Sequence, residues 1–401
     1  MGVFKKADKS AGYIYLRRIR GMKVSLLNLK LQYQGIREEV LKEIEKVCDN
    51  QSFILGENVA GLEKEIAQYC NTKYAVGVAS GTDAILLPLM AVGIGAGDRV
   101  ITTPYTFFAT TGSIVRLNAV PVFVDIEPDT YNIDPNKLEY IIKKQTAAQR
   151  ARLKAIIPVH LYGQCAEMEP ILKISKKHKL TVIEDAAQTI GAEYKGKRAG
   201  SMGDFGSLSF YPSKNLGGFG DGGMVTTNSE KLAEKVRILR VHGSKPKYYH
   251  KFVGINSRLD EIQAAVLRIK LKHLATWENN RMAGAERYNK LFQDVSLPNA
   301  VSLPAARPYN RHVFNQYIIR VKKRDALREY LAKECIGTEI YYPVPLHLQE
   351  CFRYLGYKKG DFPVSEKAAK ETLALPIYPE LTPEEQEYVV SKIAEFYKKT
   401  S

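Results

Sequence analysis

The stretch "SFYPSKNLGGFGDGG", residues 209 to 223, sets Lys214 between aromatic residues and a run of glycines. Most lysines are solvated charges, and one Lys alone carries no message. A glycine-rich loop can close tightly around a group that an amine holds. A lysine amine forms Schiff bases with carbonyl compounds and acts as a general base once freed. Two further stretches give this amine company. "TVIEDAAQ" ends an apolar run with Glu184 and Asp185, at the carboxyl edge where open α/β sheets bind ligands. A carboxylate there needs a partner, and a pyridinium nitrogen suits it. Where "AVGVAS" gives way to "GTDAILL", Gly81 permits a close turn, and Thr82 with the free amides of a helix start can hold a dianionic phosphate. Separately these are a turn cap and an ordinary strand–helix junction. Together with Lys214 they are the three anchors that a pyridoxal phosphate enzyme needs, and Ser209 can add a hydroxyl to the phosphate seat.

The elements around these groups alternate. "QGIREEVLKEIEKVCDN" and "NVAGLEKEIAQYC" have helical spacing, "KYAVGVAS" is a strand, and "GTDAILLPLMAVGIGAGD" is a helix that Pro88 interrupts. "RVITTP" and "VPVFVDIE" are strands on either side of the helical "TFFATTGSIVRLNA", and "KAIIPVHLYG" and "KLTVIEDAAQ" repeat the pattern around "MEPILKISKKHK", as in parallel βαβ units. "GFGDGG" matches GxGxxG in form, but the β-branched "MVTTN" after it is a strand, so the dinucleotide-binding reading fails on context. From Arg258 a long helical stripe (Leu259, Ile262, Val266, Ile269) leads out of the large unit into a smaller α+β one. The expected division is a basic extension over 1–21, a large domain over 22–270 and a small C-terminal domain over 271–401.

Composition sets bounds. A chain of 401 residues with 45% hydrophobic side chains buries a substantial core, and no stretch has the length of a membrane span. Five scattered cysteines without a CxxC pair fit a cytoplasmic protein, and the seven histidines show no metal-ligand spacing, so no metal is expected. The net charge of +16 is concentrated first in residues 1–21, where six Lys/Arg face one Asp. The rest is dispersed, as in an enzyme that attracts anions.

The ordered motifs "GTDA", "TPYTFFAT", "VPVFVDIEPDTYNIDP", "IIPVHLYGQ", "VIEDAAQTIGAEYKGKRAG", "SFYPSKNLGGFGDGGMVTTN", "GINSRLDEIQAAVLRIKLKHL" and "YYPVPLHLQ" resemble the DegT/DnrJ/EryC1/StrS sugar aminotransferases from Met22 onward. The resemblance implies a fold type I pyridoxal phosphate-dependent transferase, with a large, mostly parallel α/β/α sheet domain and a smaller α+β domain. It implies that Lys214 forms the Schiff base, that Asp185 contacts the pyridine nitrogen, and that Gln188 sits near the ring hydroxyl. Gly81, Thr82 and Ser209 would hold the phosphate and Phe107 would stack on the ring. Asn256 would reach the phosphate from the neighbouring subunit of a homodimer, with Arg258 beside it. L-Glutamate and a nucleotide-linked keto sugar are the implied substrates, and a lysine where dehydrating relatives carry histidine implies transamination.

Two departures, Ile255 for Tyr and Tyr341 for His, fall on the sugar side and bear on substrate identity. Tyr341, Tyr342, His347 and His242 are the substrate-side candidates, and the motifs favour a 3-keto over a 4-keto sugar. Three alternatives stay open: a keto-cyclitol (inosose) aminotransferase, a non-catalytic regulator on this fold, and a nucleic-acid binder carried by the charge. The last has no helix-turn-helix or RNA-binding signature, so no nucleic-acid partner and no membrane are expected.

Overall fold

The computed structural model describes residues 22–295, 297 and 300–400; the basic extension over 1–21 lies outside the described residues. The first nine strands are β1 (Tyr74–Val78), β2 (Arg99–Thr102), β3 (Val120–Phe123), β4 (Leu153–Ile156), β5 (Thr181–Asp185), β6 (Glu193–Tyr194), β7 (Lys197–Arg198), β8 (Phe205–Ser209) and β9 (Gly223–Thr227). Seven of them form one sheet in the order β1-β9-β8-β5-β4-β2-β3. Its runs are apolar throughout because helices cover both faces.

Every pairing in this sheet is parallel except those of β9, which is antiparallel to both β1 and β8. The reason is the connection. A parallel return needs a crossover, usually a helix, whereas β8 passes to β9 through the glycine-rich loop that bears Lys214 and simply turns back.

The helices of this unit are α1 (Leu29–Gln34), α2 (Arg37–Asn50), α3 (Glu57–Tyr69), α4 (Gly81–Ala91), α5 (Phe108–Arg116), α6 (Pro135–Lys144), α7 (Ala147–Ala151), α8 (Met168–His178), α9 (Glu230–Leu239) and α10 (Glu261–Val295). Pro88 lies inside α4, where its missing N–H deprives the Ala84 carbonyl of its usual donor. Ser207 Oγ supplies one at 2.6 Å, which ties α4 to β8.

A second unit is built on the antiparallel sheet β10 (Val301–Ser302), β12 (Tyr317–Val321) and β13 (Thr372–Leu375), while β11 (Asn310–Arg311) pairs instead with β6. It is packed by α11 (Arg324–Lys333), α12 (Pro363–Glu371) and α13 (Pro383–Thr400). The segment "TEIYYPVPLH" forms no strand of its own and touches the sheet through a single bridge, Glu339 to Ala374.

The division expected at residue 270 falls inside α10. Leu267 and Leu274 belong to a core cluster of the first unit, and Ala285, Tyr288 and Phe292 to that of the second. Residues 22–27, which the sequence places with the large unit, depart from that expectation. Val24 is fully buried in the second core and exchanges backbone bonds with Cys335 (3.0 Å) and Gly337 (2.8 Å). Among the described residues no helix is long and apolar enough to cross a membrane.

Candidate active site

The carboxyl ends of β1, β5 and β8 open into one cavity of about 450 Å³. Lys214 enters it from the β8–β9 loop. That loop is closed by Phe210 N to Gly222 O (2.8 Å), Gly218 N to Phe210 O (2.7 Å) and Lys214 N to Tyr211 O (2.9 Å). A Cβ on Gly217 would stand 2.3 Å from the Pro212 carbonyl, so the chain closes there only without a side chain.

α10 braces the loop from behind. Lys270, 4% exposed, donates from Nζ to the Gly217 carbonyl at 2.5 Å, and Gln263 Oε1 accepts from Phe219 N at 2.7 Å. Burial brings the pKa of the Lys214 amine down to about 8, with the Asp185 charge opposing. Such an amine is neutral often enough near pH 7 to act as nucleophile and base.

Asp185 ends β5 and is buried. Its Oδ2 accepts from Thr110 Oγ1 of α5 at 2.7 Å and its Oδ1 from Ala187 N at 3.3 Å. Burial raises its pKa, and these two bonds and Lys214 work against the rise. A desolvated carboxylate in this state gains most from a cationic N–H partner. Glu184, one residue earlier, points to the other side of the strand. It accepts the amides of Gly200, Met202 and Gly203 at 2.8, 2.7 and 2.6 Å and the His160 ring at 2.9 Å, which makes it a structural brace.

The third corner is the start of α4. Ser80 caps it, with Oγ accepting from Asp83 N at 3.1 Å, and the amides of Gly81 and Thr82 precede any intrahelical carbonyl. A Cβ on Gly81 would lie 2.6 Å from Cβ of Ser209, so β8 and α4 meet here only because residue 81 is glycine. The result is a cradle of helix-start amides and the Ser209 hydroxyl, suited to an anion. Ser257 Oγ donates to Asp83 Oδ2 at 2.8 Å and accepts from Ala79 N at 3.2 Å, tying the loop that holds Asn256 to the back of this seat.

Gly81, Thr82, Phe107, Asp185, Gln188, Ser209, Lys214, Tyr341 and Tyr342 all line the cavity. Gln188 accepts from Tyr162 N at 2.7 Å and donates to the Tyr342 hydroxyl at 3.1 Å, joining two walls. Tyr105 and Tyr162 both donate to the Tyr341 carbonyl, the former at 2.7 Å. Asn256 and Arg258 lie off the cavity of their own chain.

His347 is not a cavity residue, contrary to its reading as a substrate contact. It is 1% exposed, its Nε2 meets Glu366 Oε1 at 3.1 Å, and it packs edge-on to Phe362. His242 sits in a turn with φ of +61° and does not line the cavity. Sequence reasoning passed over Thr110, His160, Tyr211, Asp221 and Gln316. His160 lies in the quoted motif "IIPVHLYGQ" but carries no signal of its own, because its ring accepts from Ala166 N and serves Glu184.

A mostly parallel sheet with a lysine loop at its carboxyl edge, a buried aspartate and an anion cradle at a helix start is the architecture of a fold type I transferase. The chain belongs to the DegT/DnrJ/EryC1/StrS aminotransferase family, whose model matches residues 34–394. It is 52% identical to the "Pleiotropic regulatory protein" of Geobacillus stearothermophilus, over 94% of this chain and 99% of that one. It is 42% identical to a UDP-N-acetyl-3-dehydro-α-D-glucosamine 3-aminotransferase of Acidithiobacillus ferrooxidans, covering 94% and 98%. The crystal structure of S. venezuelae DesV with a ketimine intermediate superposes with a TM-score of 0.88 at 40% identity, covering 93% of this chain and 98% of that one. The protein is an aminotransferase.

Proposed function

We propose that the protein moves an amino group from L-glutamate to the C3 carbon of a nucleotide-linked keto sugar, with pyridoxal 5′-phosphate as cofactor, as a cytoplasmic homodimer. The observation that carries this reading is the convergence of the Lys214 amine, the Asp185 carboxylate and the Gly81–Thr82–Ser209 cradle on one cavity. When bound, the cofactor supplies an electron sink for the carbanion formed at the donor's α-carbon.

The chain's residues do the rest. Gly81, Thr82 and Ser209 hold the phosphate, Asp185 faces the ring nitrogen, and Phe107 offers its exposed ring as a stacking face. Lys214 Nζ takes the proton from the donor's α-carbon and, in the second half-reaction, delivers one to the sugar carbon that receives nitrogen. Asn256 and Arg258 act on the partner's cavity. Tyr341 and Tyr342 form the wall facing the sugar. The 3-aminotransferase of Acidithiobacillus ferrooxidans supports C3, and the chain's positive charge suits a diphosphate-bearing substrate.

The test is spectroscopic. Wild-type protein loaded with pyridoxal phosphate is expected to show the visible band of lysine-bound cofactor, to lose it with L-glutamate and to regain it with a nucleotide-linked 3-keto sugar. Lys214→Ala should show none of the three. A wild type with no band, or one regaining it only with an unphosphorylated inosose, overturns the reading.

A further inference from the structure

The β8–β9 loop meets a second buried lysine besides Lys214. Lys270 comes from the first turns of α10, is 4% exposed and does not line the cavity. A buried ammonium is expected to face a carboxylate. Among the described residues Lys270 faces none, and burial alone moves its pKa, down to about 8. What its Nζ meets is the Gly217 carbonyl, at 2.5 Å, and the ring of Phe219, whose centre lies 5.3 Å away. A methionine of similar length would fill this space without the cost of burying a charge. Stability therefore gives no reason for a lysine at this position, and its effect falls on the loop.

The path from that carbonyl back to Lys214 is short and fixed at each step. Lys214 N donates to the Tyr211 carbonyl at 2.9 Å, Asn215 Nδ2 donates to the Val313 carbonyl at 3.3 Å, and Leu216 is fully buried. The peptide between Gly217 and Gly218 has a glycine on either side, the setting in which a peptide plane turns most freely. It is clamped instead. Gly218 N donates to the Phe210 carbonyl at 2.7 Å, on the side of β8, while Lys270 holds the Gly217 carbonyl from α10.

We infer that Lys270 is a positioning residue for the reaction: its grip on the Gly217 carbonyl sets where the Lys214 amine stands in the cavity. The inference rests on the reading of Lys214 as the reacting amine. Lys214 works in both half-reactions, so a loosened loop slows both by one factor and leaves the binding of either substrate as it was.

The test uses full-length protein and the variants Lys270→Met and Lys270→Gln. Cofactor-loaded Lys270→Met should lose its visible band with L-glutamate, and regain it with a nucleotide-linked 3-keto sugar, about tenfold more slowly than wild type, at unchanged half-saturating concentrations. Lys270→Gln keeps an N–H donor on a shorter arm and should fall between the two. In cofactor-free protein, labelling of Lys214 by an amine reagent is read by peptide mass spectrometry. Its midpoint should rise in Lys270→Met from about 8 toward that of an ordinary lysine, because the amine is less enclosed and a nearby positive charge is gone. The urea midpoint of Lys270→Met should match or exceed that of wild type. Full rates with an unmoved labelling midpoint overturn the inference. So does a loss of rate that comes with a lower urea midpoint in both variants, since the residue is then a prop for the fold. A loss confined to one half-reaction overturns it too, since the effect is then on that substrate. A raised labelling midpoint in a protein that does not respond to glutamate keeps Lys270 as the residue that positions Lys214 and removes the transaminase reading.

Discussion

Lys214 is set apart from the other lysines by where its amine is buried. With its pKa brought down to about 8, roughly a tenth of it is neutral at pH 7, against less than a thousandth for an ordinary lysine. Its labelling by an amine reagent in cofactor-free protein, followed by mass spectrometry, should rise through pH 8; a rise only above pH 10 contradicts the burial. Asp185 holds that pKa up, so Asp185→Asn should move the midpoint below 8. Both residues were legible in the sequence, one from the glycines that follow it and the other from its place at the end of an apolar run. Thr110, which orients the Asp185 carboxylate, was not legible, because 75 residues separate them and threonine in a helix has no distinguishing pattern. His347 failed for a related reason: a histidine in a motif cannot be told from the sequence to face a cavity or, as here, Glu366 and Phe362.

At the scale of elements, the lysine loop and the helix starts carry the expected consequences. Gly217→Ala forces the loop open at Pro212, and the readout is cofactor retention during dialysis, which should fall while the circular dichroism of the fold persists. Glu261, 3% exposed at the start of α10, accepts the amides of Gly56 (3.0 Å), Asn58 and Val59 (3.1 Å) where α3 begins. Glu261→Ala leaves those donors unmet and should cost about 1–3 kcal/mol in urea unfolding; a cost near zero would mean that water replaces the carboxylate. The alternation of strands and helices was readable from apolar runs. The reversed direction of β9 was not, because a β-branched strand has the same composition either way and its direction is set by the connection before it. The helix α6 went unread as well, although Pro135 opens it and Asp134 Oδ1 accepts from Asn136 N at 2.9 Å.

For the whole molecule, the position of Asn256 and Arg258 off their own cavity makes the proposed dimer testable by complementation. Lys214→Ala and Asn256→Ala proteins, each poor alone, should regain roughly a quarter of wild-type activity when co-expressed, since half the dimers are mixed and one of their two sites is whole. No recovery would remove Asn256 from the partner's site. The large unit's alternation of strands and helices was legible, while the return of residues 22–27 to the second core was not, because six residues that pack against a distant sheet carry no period of their own. The two cores meet along α10, a single helix of 35 residues and about 52 Å. Its first turns brace the lysine loop through Gln263 and Lys270, and further on Arg281 donates to the carbonyls of Phe314 (3.4 Å) and Ile377 (2.8 Å). One inserted residue between them would swing everything downstream by about 100°. Gene shuffling between relatives can therefore splice this stretch only in register, and a lineage that gains or loses a single codon here loses the alignment of both halves at once.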